Sequence, residues 1–405
     1  MAKGRSPLII IFITIFIDLV GFGIVIPVLP LYAEKFGASE AVVGLLLSIY
    51  SAMQFLCAPL LGRLSDKVGR RPVLLLSLLG TSFGFLLMGF AGSLWVLFAA
   101  RAIDGITGGN ISTAQAYIAD VTSPEERSKG MGLIGAAFGL GFIVGPAIGG
   151  VMSQISPGAP FIFAAGLAAA NATALFFLLP ESLSSEHMNR GRQRSSVRQV
   201  LKESGSRTLS SVMVTFFFAT VSFAMLTATY ALFASHRFGF DARHTGYMFT
   251  YLGVIGAVIQ GGLIGRLVKV FGEKPLASVG TAIFAASIFV LPLSESVTRL
   301  IIASSGIAIG NSLMTPTLNG LASKSVDAAW QGRVLGVMAS VASLARIIGP
   351  LLGDWLLERD ADARAIHYGI TPYWVSGSIM LIALVVALSM RSAEASKPGE
   401  ATAQV

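Results

Sequence analysis

Charge is scarce in this chain: only 12% of its 405 residues are Asp, Glu, Lys or Arg, about half the share of an ordinary globular domain. So few charges cannot coat a water-exposed surface of that size, and 54% of the residues are apolar, which excludes a water-soluble globule. There is a single cysteine, Cys57, inside an apolar run. That excludes a disulfide framework and any metal centre built from paired cysteines. The four histidines, His187, His236, His244 and His367, all fall on expected loops or helix ends, away from any acid cluster at ligand spacing. No metal site, nucleophile–base pair or enzyme activity is expected. The net charge of +8 comes from residues scattered between apolar runs rather than gathered on one face, so nucleic acid is not an expected partner.

What the chain has is long apolar stretches. A membrane-spanning helix needs about 20 mostly apolar residues. Twelve stretches qualify: 7–32, 41–62, 72–92, 94–118, 130–153, 160–179, 209–235, 244–267, 275–293, 298–322, 331–356 and 372–390. The expected fold is an all-α membrane protein of twelve transmembrane helices, with the lipid bilayer as its solvent. The first stretch follows Lys3 and Arg5 but runs on to Tyr32 without a small-residue cleavage site, so a retained helix is expected rather than a signal peptide. If both termini are cytoplasmic, Lys and Arg number 21 on cytoplasmic segments, 6 on external ones and 2 inside helices. The positive-inside rule favours that orientation.

The sequence divides into two related halves. Gly62 to Arg71 recurs in degraded form as Gly265 to Lys274, 203 positions later, and Gly145-Pro146-Ala147-Ile148-Gly149 returns as Gly349-Pro350-Leu351-Leu352-Gly353 after 204. The expected domains are a six-helix bundle over 1–179, a basic, serine-rich cytoplasmic linker over 180–208, and a second bundle with a short cytoplasmic tail over 209–405. Repeats of this kind place a substrate site between the halves near the bilayer midplane.

Ionisable residues at membrane depth cost at least a few kcal/mol and are functional candidates by default. Asp18 lies about ten residues into the first stretch, roughly 15 Å deep by helical rise. It is a candidate to bind and release protons. Arg101 and Asp104 are three apart on the fourth stretch and share a face, so they can pair; the pair is either a structural lock, or Asp104 is a second proton carrier or a counter-ion for a cationic substrate. Arg346, in the eleventh stretch, can attract an anionic substrate group or pair with an acid elsewhere. Gln54, Asn110, Gln115, Asn311 and Tyr230 are candidates for the cavity wall. In the turn 62–71, Gly62 is expected to end a helix tightly, with Asp66 just beyond it and Gly69, Arg70 and Arg71 at the membrane surface, where charges can change partners as the halves move. Gly141, Gly145 and Gly149 recur every four residues around Pro146 and form a face open to close backbone approach. Gly253, Ala257, Gly261 and Gly265 share that spacing, and the two faces are expected to pack across the boundary between halves.

The Gly62–Arg71 segment resembles the major facilitator superfamily. Asp18 to Pro30, Arg101 to Gly109 and Gly141 to Gly150 are similar to the twelve-helix drug:proton antiporters within it, the last to their antiporter signature. Ala116 to Asp120, Arg237-Phe238-Gly239, Gly272-Glu273-Lys274 and Gln331-Gly332 look most like tetracycline-efflux antiporters. Those proteins usually carry acids in helices 3 and 9 and, in some members, a histidine in helix 8, where this chain has Gly84, Phe284 and Gly256. The resemblance implies proton-coupled export of a small drug-like molecule or metabolite from the inner membrane. Protons would be the coupling ion, no cofactor would be needed, and the working form would be a monomer. It assigns coupling or substrate binding to Asp18 and proton transfer to Arg101. The alternative is uptake or exchange of a physiological solute such as a sugar or organic anion; a non-transporting receptor is the third possibility.

Overall fold

The computed structural model describes residues 7–123, 127–183, 207–326, 328–361 and 367–390. Most of the expected linker, with His187, and the expected tail lie outside the described residues. Twelve helical rods follow one another in the places the apolar stretches occupy. They are α1 (Pro7–Glu34), α2 (Glu40–Val68), α3 (Arg70–Gly89), α4 in two segments (Leu94–Thr107 and Asn110–Val121), α5 (Arg127–Met152) and α6 (Ala159–Leu178). The second set is α7 (Arg207–Phe238), α8 (Ala242–Val258, a π turn Ile259–Leu263, then Ile264–Phe271), α9 (Glu273–Val290), α10 (Val297–Lys324), α11 (Ala328–Glu358) and α12 (Ile370–Ser389). Eleven spans among the described residues are long and apolar enough to cross a membrane. The twelfth, α4, is interrupted at Gly108-Gly109, so neither segment is long enough alone. Large apolar side chains such as Leu56, Phe177 and Val385 are exposed around the bundle. That surface suits hydrocarbon rather than water.

The repeat is visible in the packing. In the first half the glycines of α5 lie on α1: a side chain at Gly145 would strike the Val20 carbonyl at 2.6 Å, and one at Gly149 the Ile24 carbonyl at 3.0 Å. In the second half Gly349 of α11 meets the Val221 carbonyl of α7 at 3.0 Å in the same way. The Gly141–Gly145–Gly149 face therefore holds each half together and does not pack across the boundary. A different face of α5 does that: Gly150 abuts Ala242 and Arg243, Gly246 abuts Pro146, and Gly253 abuts Phe142 and Ile143. Gly261 and Gly265 have nothing within 4 Å. Periodicity alone put the glycines of α5 on one face; it could not say which neighbour that face meets.

Helix α2 also continues past Gly62, whose carbonyl accepts from the Ser65 hydroxyl at 2.9 Å, and ends at Val68. The tight turn is made at Gly69, with φ of 102°, a backbone conformation that glycine adopts without strain. Gly272, 203 positions later, repeats it with φ of 81°.

Contacts between halves concentrate at the end of the bundle where α1 finishes. There the Ser48 hydroxyl donates to the Ile347 carbonyl at 3.0 Å, the Tyr368 hydroxyl to Glu40 at 3.0 Å, and the Gln154 amide to Asp241 at 3.1 Å. Toward the end where α1 begins, Gly132, Gly135 and Gly139 of α5 face open space, as do Gly261 and Gly265 of α8. The molecule is a two-half bundle sealed at one end and parted at the other.

Candidate functional site

A cavity of about 350 Å³ lies between the halves, bounded by α1, α2, α4 and α5 on one side and α7, α10 and α11 on the other. Its wall is largely aromatic, with Phe22, Tyr50, Phe138, Phe142, Phe216 and Phe223; its charged and amide groups are Asp18, Gln54, Arg101, Asn311 and Arg346, with the hydroxyls of Ser51, Thr220, Thr227 and Thr315 beside them. A mostly apolar wall with a few convergent polar groups is the usual character of a small-molecule site.

The break in α4 organises the polar side of this wall. Two glycines stop the first segment at Thr107, and Asn110 opens the second. The Gly108 carbonyl, left without its helical partner, accepts from the Gln54 amide at 2.9 Å. That amide also donates to the Tyr50 hydroxyl at 3.2 Å. The Asn110 amide donates to Asp18 at 2.7 Å, so Asn110 stands behind the cavity acid rather than in the wall.

Arg101 and Asp104 are both buried and joined at 3.2 Å. The Arg101 guanidinium also lies over the Tyr50 ring, 4.3 Å from its centroid, a cation–π contact that spreads the charge into the wall. Arg101 faces the cavity and Asp104 lies behind it. At Gly84, the place of the helix 3 acid in the antiporters the chain resembles, an added Cβ would sit 3.1 Å from Asp104 Cβ. The carboxyl of this chain thus reaches the same region from the neighbouring helix. Arg346 enters from the other half and donates to Ser343 at 3.1 Å; among the described residues it has no acidic partner. Asn311 lines the cavity and accepts from Thr315 at 3.1 Å.

Two candidates lie elsewhere. Gln115 is exposed on the outer face of α4, because its helix turns only one face inward. Tyr230 is buried inside the second half, bonded to Ser304 at 3.2 Å and against Phe249; burial within a bundle takes it from the cavity. Phe216, Thr220, Phe223 and Thr227 were not anticipated, although a phenylalanine and a threonine recurring every seven residues mark one face of α7. Asp354, an acid inside the eleventh apolar stretch, was likewise not anticipated; it does not line the cavity but lies one turn beyond Pro350 of the wall, against Gly44 of α2.

The turn at Gly69 is a charged junction within the first half. Arg70 is buried and meets Asp66 at 2.6 Å and Asp120, at the end of α4, at 3.0 Å. Glu181 accepts from the backbone N–H groups of Arg70 and Arg71 at 2.8 and 3.0 Å. The Arg71 guanidinium donates to the Phe176 carbonyl. In the second half the corresponding positions carry the opposite signs, with Glu273 pairing Lys324 at 2.9 Å.

The profile of the Major Facilitator Superfamily matches residues 11–350 and 212–404. Tetracycline resistance protein, class C, of Escherichia coli is 36% identical over 95% of this chain and 97% of its own length. Multidrug resistance protein 2 of Bacillus subtilis (strain 168) is 30% identical over 94% of each. Among solved structures, the human organic anion transporter MFSD10 (TETRAN) superposes with a TM-score of 0.71 at 25% identity, over 96% of this chain and all of that one. With two bundles of six helices, a cavity between them and relatives aligned nearly end to end, the chain belongs to the major facilitator superfamily and is a membrane transporter, not an enzyme.

Proposed function

We propose that this protein is a proton-coupled secondary transporter that exports small amphipathic molecules by alternating access. The observation that carries the proposal is Asp18, a carboxyl on the wall of an aromatic cavity enclosed by halves that meet at one end only. Occupation of the cavity by substrate and protonation of Asp18 then bias the same movement of the halves, which is what exchange requires. Asp104, behind the wall and paired with Arg101, is assigned the second place in the proton path. Tetracycline and multidrug resistance proteins are the relatives named above, and the aromatic wall suits compounds with flat apolar faces. With both termini in the cytoplasm of an inner-membrane protein, the state described opens inward. The Gly62, Asp66, Gly69, Arg70, Arg71 junction and the Gly141, Gly145, Pro146, Gly149 face are assigned to the movement, as a hinge and as the rigid seam of a half respectively. Each chain encloses its own cavity, so a monomer is the proposed working form, with no cofactor besides the proton.

Reconstitution in liposomes tests this. An imposed pH gradient drives transport of a panel of amphipathic compounds in the parent, and Asp18→Asn abolishes the response. Full proton-driven transport by Asp18→Asn overturns the coupling role.

Arg346 supports a second reading. A cavity guanidinium with no acidic partner among the described residues suits an anionic substrate, and the solved relative above is an organic anion transporter. Matched anionic and cationic compounds in the same panel separate the two: loss of anion transport alone in Arg346→Gln supports the anion reading.

A further inference from the structure

A further acid is buried where the transport cycle just described leaves it without a role. Asp354 of α11 is fully buried, and neither carboxyl oxygen has a hydrogen-bond partner. It sits in the sealed seam: Asp354 Oδ2 is 3.0 Å from the place a Cβ would take at Gly44 of α2, and its own Cβ 2.7 Å. Glycine at that position lets the carboxyl reach across the boundary between halves.

Among the described residues, the groups around it offer no compensating charge. From α2 the neighbouring acid is Glu40, which is bonded to Tyr368. Tyr373 of α12 and Tyr368 before it are the neighbouring hydroxyls. Glu34 of α1 is engaged with His236 of α7 at 3.6 Å. On its own helix Arg346 is two turns away and bonded to Ser343. An ionised carboxylate is costly to bury where no donor meets it, so the closed seam holds Asp354 as the neutral acid.

We propose that Asp354 is a proton-binding latch for the seam, loaded from the side on which α1 ends. When the halves part there, the carboxyl meets water and ionises, with a reference value of about 3.9. When they close, it must take up one proton. By linkage, the ratio of closed to open seam falls by up to about tenfold for each pH unit above that value. Acid on that side, external in the proposed orientation, favours the inward-open state through a site separate from Asp18. The inference rests on the alternating movement proposed above.

The test measures the seam without transport. In a Cys57→Ser background, spin labels at Lys35→Cys and Arg299→Cys report the distance between the halves from pH 4.5 to 8.5 in nanodiscs. The parent is expected to show two distances whose ratio shifts toward open as pH rises. Asp354→Asn is expected to keep the closed distance, with the slope reduced by up to one decade per pH unit. Asp354→Leu should behave like the Asn variant, while Glu40→Gln and His236→Gln, made as controls, should retain most of the slope. An unchanged slope in Asp354→Asn sinks the latch alone. One fixed distance in the parent at every pH sinks the alternating movement and the latch with it. Failure of both neutral variants to fold shows that the closed seam does not accept a neutral side chain at this position, and overturns the proposal as well.

Discussion

Asp18 and Asn110 are 92 residues apart in the chain and 2.7 Å apart in space, the carboxyl of α1 accepting from the amide that opens the second segment of α4. The acid is presented to the cavity by a neighbour that never reaches the wall. A hydrogen bond to a charged group is worth ~1.5–3 kcal/mol. Asn110→Ala is therefore expected to slow proton-driven transport roughly tenfold or more, while substrate binding in a direct titration changes little. Asn110→Asp, which places a second carboxyl against the first, should be more damaging still.

The buried pair Arg101–Asp104 admits a cleaner dissection. Removing one partner strands a buried charge, at a cost of ~3–5 kcal/mol. Arg101→Leu and Asp104→Leu should each lower the yield and thermal midpoint of the purified protein. The double variant should recover much of that stability and remain inactive in proton-driven transport. A double variant that is both stable and active would reduce the pair to a structural lock.

Much of this arrangement was legible before any coordinates. Hydrophobic runs located all twelve rods, because the requirement that a backbone in hydrocarbon bond to itself leaves little besides helices. Asp18, Arg101 and Arg346 stood out because charge is rare in such runs. Facing was less accessible: Gln115 and Tyr230 have the right chemistry and depth but turn away from the cavity, since neighbouring positions on a helix differ by about 100° and only the partner helices decide which side is inside. The same limit sent the Gly141–Gly149 face to the wrong neighbour. The role of Asn110 depends on the break at Gly108-Gly109, which in sequence is simply a pair of glycines in an apolar run.

Glu273 and Lys324 repeat the Arg70–Asp120 bridge with its signs exchanged. If the bridge fixes the start of α9 to the end of α10, Glu273→Lys should destabilise the second half and Lys324→Glu should restore it when combined. Lys324 is largely exposed, so the rescue should be modest and diminish with added salt. Thermal midpoints of the two single variants and the double, at low and high salt, decide the point.

Asp241 caps α8 from the turn before it. Partial burial pushes its carboxyl up, but the backbone N–H of His244, the His244 ring and the Gln154 amide outweigh this and hold it below the usual carboxylate range. A group so depressed contributes its stability above the unfolded value of about 3.9 and loses it as pH falls through the lower folded value. Asp241→Ala is expected to cost ~0.5–2 kcal/mol at neutral pH as a lost cap. The difference from the parent, followed by thermal midpoint, should disappear toward the acid end of the range.

The glycines separate into two classes that substitution can tell apart. Gly145 lies between α5 and α1 inside one half, 2.6 Å from the Val20 carbonyl by its missing Cβ. That contact must be kept in every state if the half moves as a body, so Gly145→Val should destabilise the protein by ~1–3 kcal/mol of overpacking whichever way the cavity faces. Gly246 lies against Pro146 across the boundary, a contact that exists only while the seam is shut. Gly246→Val should leave the halves folded and oppose closure, so that the distance between labels at Lys35→Cys and Arg299→Cys lengthens. Equal loss of folded protein in both variants would mean that the seam is part of the permanent core, and that the halves do not part there.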